Sequence, residues 1–190
     1  MLMNHPEKNL VLFPLPGQRI AIVGVTGSGK TTLAKLLAER LAIPHVEMDR
    51  INWQPGWQPL PNDIFRDRID AALRGPAWVV DGNYSFSRDI VWGRADTLVW
   101  LDYPLWWSFW RLLVRSLRRL ITQEPLWNGN KETLRGLFFS RDSLFLYIFK
   151  SYRRLHTIYP RVLLESAYAH LQVVRLRHPR QTNAWLATIC

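Results

Sequence analysis

The sequence predicts an α/β fold in three layers, with a mostly parallel five-stranded sheet between helices. Three observations predict it. Five short apolar runs recur along the chain, at residues 20–25, 43–48, 77–80, 97–101 and 171–176. Stretches with helical spacing lie between them. Four of the runs end at or beside a polar residue, Lys30, Asp49, Asp81 or Asp102, as expected where ligands gather at the C-terminal strand ends of an open parallel sheet.

The length and composition suit one core. The chain has 190 residues, 48% of them hydrophobic, which predicts a single domain over 19–190 behind a loose lead-in at 1–18. The single cysteine, Cys190, excludes an intrachain disulfide and a cysteine-based metal site and predicts a reducing, cytoplasmic setting. The N-terminus does not read as a secretory signal. The most membrane-like stretch, 98–114, is interrupted by Asp102, Pro104 and Arg111, so no integral membrane association is expected. The reading is a buried strand followed by an amphipathic helix, with interfacial contact as the alternative. Net charge is +10. Residues 105–165 hold eleven Lys or Arg against Glu124, Glu132, Asp142 and Glu165. That segment favours a polyanionic partner, a nucleotide or a nucleic acid.

The first strand, 20–25, leads into Gly-x-x-x-x-Gly-Lys-Thr, with Gly24, Gly29, Lys30 and Thr31 as the fixed positions. An apolar strand before the turn and a leucine-spaced helix after it (Leu33, Leu37, Leu41) are the context this motif requires. Glycines let successive N–H groups converge on a phosphate, and the helix start adds its unpaired N–H groups and dipole. Gly24, Thr26, Gly27, Ser28, Gly29, Lys30, Thr31 and Thr32 are therefore expected to hold a nucleoside triphosphate, ATP. Lys30 would reach the β- and γ-phosphates and Thr31 would ligate Mg²⁺.

The second strand ends in Met48-Asp49-Arg50, followed by Asn52, Trp53 and Trp57. A carboxylate there can orient an acceptor hydroxyl, Arg50 can donate to a phosphate, and Trp57 can stack on a planar ligand. A surface turn with two core-capping tryptophans is the plainer alternative. A helix is expected over 62–73. The third strand gives Asp81-Gly82-Asn83-Tyr84. Asp81 is the leading candidate to hold Mg²⁺ through water or to orient the acceptor, and Gly82 permits close backbone approach. Asp102, after the fourth strand, is a possible second acid near the metal, and the five histidines show no metal-ligand spacing.

Beyond Pro104 a basic helix places Arg111, Arg115 and Arg118 on one face with Arg119 beside it. Crowded guanidinium groups call for an anion, and phosphoryl transfer provides one. The polar stretch 122–133 suits a flexible crossing, and Arg153 and Arg154 suit the start of a returning helix, so 105–165 is expected to hold an arginine-rich helical lid. After the fifth strand, Arg180 is expected to stack on the base of the donor nucleotide.

Taken together, the phosphate loop, the 49–57 run, Val80–Tyr84, Arg94–Pro104 and Val174–Pro179 resemble the adenylate-kinase-like proteins of the topology modulation (FlaR-related) family, over residues 19–187. The resemblance implies a P-loop NTPase fold of the nucleoside-monophosphate-kinase type and a small-molecule phosphate acceptor, a nucleotide or nucleoside. Asp81-Gly82 stands where such kinases open an Asp-Gly-Phe-Pro-Arg motif. Asn83-Tyr84 replaces the rest and removes its arginine, leaving Arg88, a helical turn later, as the substitute. The substrate side is thus Asp49, Arg50, Trp57, Gly82, Asn83, Tyr84 and Arg88. The rival expectation is a nucleic-acid-associated ATPase that uses ATP as a switch.

Overall fold

The structure, a computed structural model, describes residues 14–133 and 144–189. Its centre is a five-stranded sheet in the order β2-β5-β1-β6-β7, every pair parallel. The strands are β1 (Arg19–Gly24), β2 (His45–Glu47), β5 (Trp78–Asp81), β6 (Thr97–Leu101) and β7 (Gln172–Leu176). A two-residue antiparallel pair, β3 (Trp53–Gln54) with β4 (Gln58–Pro59), forms a small arm beside it.

The central strands are near-continuous apolar runs because both their faces are covered. In β1, Ile20 and Ile22 face one layer while Ala21 and Val23 face the other; in β6, Val99 and Leu101 oppose Leu98 and Trp100. On the first face sit α1 (Lys30–Leu41) and α7 (Pro179–Leu186), through Leu33, Leu37 and Trp185. Leu37 is fully buried, and truncating it to alanine costs about 3 kcal/mol. On the second face sit α3 (Asn62–Ala72), α4 (Arg88–Arg94), α5 (Leu105–Thr122) and α6 (Leu144–Val162), contributing Phe65, Ile69, Trp92, Leu112, Leu155 and Tyr159. A short helix, α2 (Met48–Asn52), follows β2 directly.

Three expectations change. The stretch 14–18 is anchored: the Pro14 carbonyl accepts from Trp185 Nε1 at 3.0 Å and Gly17 N–H donates to Thr97 Oγ1 at 2.9 Å. The crossing at 122–133 is also tied down, because Asn130 is buried and binds the β3–β4 arm. Arg153 and Arg154 lie in the middle of α6, whose Ile148, Leu155 and Tyr159 are core residues. That part of the expected lid is a layer of the fold. The lid reading also takes in residues 134–143, and the lead-in takes in 1–13; both lie outside the described residues, as does Cys190.

Candidate active site

The turn after β1 is shaped by what lies on it. Gly27 has φ 84°, and a Cβ there would strike the Ser108 carbonyl oxygen and Leu112 of α5. Small buried residues on α5, Ser108 and Ser116, flank Leu112 one turn either side, so α5 can lie across the loop. Ser28 N–H closes the turn on the Val25 carbonyl at 3.1 Å. Gly29, with φ 97°, is the residue from which α1 starts. Lys30 folds back so that Nζ donates to the Val25 carbonyl at 3.1 Å. Burial pulls the Lys30 ammonium below its ordinary pKa, opposed by Asp49 and Asp81. A poorly hydrated cation inside a nest of N–H groups is built to receive phosphate oxygens.

The acidic side faces it. Asp81, at the end of β5, is 4% exposed. One oxygen accepts the Thr31 hydroxyl at 2.6 Å, and the other lies 2.7 Å from His45 Nε2. Parallel pairing of β2 with β5 sets His45 opposite Val79 and Glu47 opposite Asp81, which brings both acids and the imidazole to one sheet end. His45 is thus a site residue that composition and spacing gave no reason to choose. Glu47 is another; burial pushes its carboxyl up, helped by Asp81. Asp49, in the first turn of α2, accepts the Tyr84 hydroxyl at 2.6 Å. Burial pushes the Asp49 carboxyl up, while Tyr84, Lys30 and Arg115 hold it down. Asp102 is not part of this group. It pairs with Arg175 at 2.7 Å and His156 at 2.7 Å.

Arg111 reaches the loop from α5: its Nη2 lies 3.2 Å from where a Cβ on Gly29 would be. Arg115 is largely buried, and its Nε has no hydrogen-bond partner among the described residues. Burial lowers its pKa, and Arg119 adds to the effect. Arg119 pairs with Glu132 at 3.1 Å, and the other Glu132 oxygen has no hydrogen-bond partner among the described residues. Arg118 is exposed. The inward row is therefore Arg115 and Arg119, because a step of four residues follows the buried stripe better than a step of three on this helix.

Two recesses flank the loop. One is lined by Met48, Gly82, Asn83, Tyr84, Arg88 and Tyr159 among others. Gly82 is required there, since a Cβ would lie 2.7 Å from Met48. Asn83 clasps the backbone of Gly24 through both ends of its amide. The Arg88 guanidinium sits over Trp92 at 5.0 Å and Tyr159 at 5.7 Å and is salt-bridged to no described carboxylate. Arg154 donates to Ser85 Oγ at 2.8 Å beside it. The other recess is lined by Ser28, Gly29, Thr32, Tyr103, Arg111, Pro179, Thr182 and Asn183. Arg180 is exposed next to it and spends its N–H on the His178 side chain. Arg50 is exposed as well. Trp57 packs edge-on against Trp53 and Trp127, with ring centroids 5.7 and 6.1 Å away, and its Nε1 donates to the Lys131 carbonyl at 3.0 Å. It braces the arm.

A magnesium ion suits this donor set. Thr31 and Asp81 supply adjacent hard oxygens, and among the described residues no group of three or more acids, histidines or cysteines is arranged to hold a metal ion by itself. One hydroxyl and one carboxylate, completed by water and phosphate, is the way Mg²⁺ is held in nucleotide sites.

Comparison with known proteins bears on the fold. The shikimate kinase of Bacteroides thetaiotaomicron superimposes with a TM-score of 0.53 at 17% identity, covering 90% of this chain and 95% of that one. The gluconokinase of Sinorhizobium meliloti superimposes with a TM-score of 0.51 at 20% identity, covering 92% and 93%. The chain has the fold of the P-loop kinases. In sequence, a shikimate kinase of Persephonella marina is 29% identical over 145 residues, 67% of this chain and 84% of that enzyme. Shikimate kinase 2 of rice is 33% identical over 110 residues, 50% of this chain, and the chain spans only 36% of the rice enzyme's length. A family model described as ABC transporter matches residues 9–72, the stretch that carries the phosphate loop. The loop, α1 and the β5 carboxylate lie together at one end of the sheet, and α2, α4 and the 82–84 turn border the first of the two recesses.

Proposed function

We propose that the protein is an ATP- and Mg²⁺-dependent phosphotransferase that moves the γ-phosphoryl group to a hydroxyl of a small anionic acceptor. One observation carries the reading. A carboxylate outside the phosphate loop, Asp49, accepts the Tyr84 hydroxyl at 2.6 Å, and Tyr84 lines the same recess as Arg88.

The acceptor enters the recess with its anionic group toward Arg88 and Arg154 and a hydroxyl toward Asp49. The hydroxyl oxygen bonds to the γ-phosphorus as the bridge to ADP breaks. The proton passes to Asp49, whose raised pKa suits it to take one, and then to solvent. Lys30, Arg111 and Arg115 balance the charge that shifts onto the leaving phosphate, inside a site from which α5 excludes water. Thr31 and Asp81 hold Mg²⁺, which shields the phosphate charge when bound.

Shikimate kinase and gluconokinase name polyhydroxy acids as their substrates, and that class fits a hydroxyl-orienting acid facing two arginines. A nucleoside or nucleotide acceptor, as the adenylate-kinase-like topology modulation family implies, would use the same machinery. A magnesium-dependent ADP-formation assay over a panel of polyhydroxy acids, nucleosides and nucleoside monophosphates tests the reading. Acceptor-stimulated ADP release, absent in Lys30→Ala, is expected. A basal hydrolysis rate that no acceptor raises, with stimulation by DNA instead, would replace the reading with the ATPase one.

A further inference from the structure

Helix α5 turns one face to the loop and leaves the opposite face bare. Trp106, Trp110, Val114, Leu117 and Ile121 are 66%, 62%, 51%, 44% and 84% exposed. At 3.6 residues per turn these five fall within about 80° of arc, a single stripe along a helix roughly 27 Å long at 1.5 Å per residue. A continuous apolar stripe of this kind marks a contact surface.

The charges around it say what the contact is. Neither α5 nor α6 contains an acidic residue. The two helices touch, with Phe109 and Phe149 at 5.9 Å between ring centroids. Arg118 on α5 and Lys150, Arg153 and Arg161 on α6 are exposed. A second copy of the chain docking here would set these bases against one another with no acid from either helix to answer them. A nucleic acid would meet Val114, Leu117 and Ile121, which offer nothing to a base or a phosphate. An anionic lipid surface answers both features, taking the aliphatic and tryptophan side chains into its interfacial zone and the bases at its headgroups. Among the described residues no helix is long and apolar enough to cross a membrane.

We propose that the outer face of α5, flanked by the bases of α6, docks the protein on anionic membranes. The test is co-sedimentation of the full chain with vesicles of phosphatidylcholine alone and of an equal mixture of phosphatidylcholine and phosphatidylglycerol. Partition onto the mixed vesicles is expected to exceed that onto neutral ones by about tenfold or more and to weaken with salt. Trp110→Ser with Ile121→Ser is expected to lower it about tenfold, with thermal unfolding and ATP binding in solution unchanged. Lys150→Glu with Arg153→Glu, which touches no apolar contact, is expected to lower it as well. Absence of binding to the mixed vesicles, or binding that both double variants retain, overturns the proposal. So does a dimer in light scattering that the Trp110→Ser, Ile121→Ser variant converts to monomer.

Discussion

Replacing Asn130 with alanine removes three hydrogen bonds from a side chain that is 5% exposed. Its Oδ1 accepts from Trp57 N–H at 2.9 Å, and its Nδ2 donates to the carbonyls of Gln54 and Trp127 at 2.9 Å each. At about 1 kcal/mol net per bond the loss is about 3 kcal/mol. The first bond also holds Trp57 at φ 58°, a conformation that costs a non-glycine residue about 1 kcal/mol, so releasing it returns part of the loss. A net loss of about 2–3 kcal/mol lowers the melting temperature by roughly 4–12 °C in a chain of this size. The arm so freed carries the residues just after Asp49, so acceptor KM rises while ATP affinity stays. Asn130→Asp is the sharper control: it keeps the acceptor but turns two donated bonds into oxygen–oxygen repulsions, and it melts below the alanine variant. Circular dichroism melts and acceptor titrations measure both effects. An Asn130→Ala protein with wild-type melting and acceptor KM would refute the idea that this side chain fastens the arm.

Further outcomes follow from the same geometry. Lys30→Ala abolishes ADP formation, and since burial already disfavours its ammonium, the melting temperature in circular dichroism does not fall. Arg115→Ala lowers kcat about 100-fold while the ATP dissociation constant, measured by calorimetry, moves little; equal losses would mark a ground-state contact. The pKa of Asp49 is raised in the fold, so the folded chain holds that proton more tightly than the unfolded one. Stability therefore falls as pH climbs from the ordinary carboxylate value through the raised one. Asp49→Asn keeps an acceptor for Tyr84 and removes this loss, so the nucleotide-free variant is inactive yet melts above wild type at neutral pH, the gap closing in acid. Tyr84→Phe deletes the bond that holds the Asp49 carboxyl down, which moves the acid limb of the pH–rate profile to higher pH.

The sheet was legible in the sequence because buried parallel strands are runs of apolar residues, and β1, β5 and β6 are buried along nearly their whole length. The phosphate loop was legible because its residues are contiguous. The acidic side was legible only in part. Asp81 ends a strand and announces itself, whereas His45 enters the site through the pairing of β2 with β5, a relation between segments 36 residues apart. Asn130 and Glu132 were hidden for the same reason: their partners, Trp57 and Arg119, lie 73 and 13 residues away. On α5 the sequence offered four arginines, and helical spacing alone did not say which row faces inward; the small residues Ser108 and Ser116, which let the helix lie on Gly27, were the available signal. Asp102 looked like Asp81 in sequence, and its partners, Arg175 and His156, come from the neighbouring strand and from α6.

Phosphoryl transfer is tested by following the transferred group itself. With ATP labelled in its γ-phosphate, magnesium and the acceptor panel, label is expected in a new phosphate ester of one small acceptor, in step with ADP and dependent on Lys30, Asp49 and Asp81. Label that appears only as inorganic phosphate, or only on the protein, would contradict it.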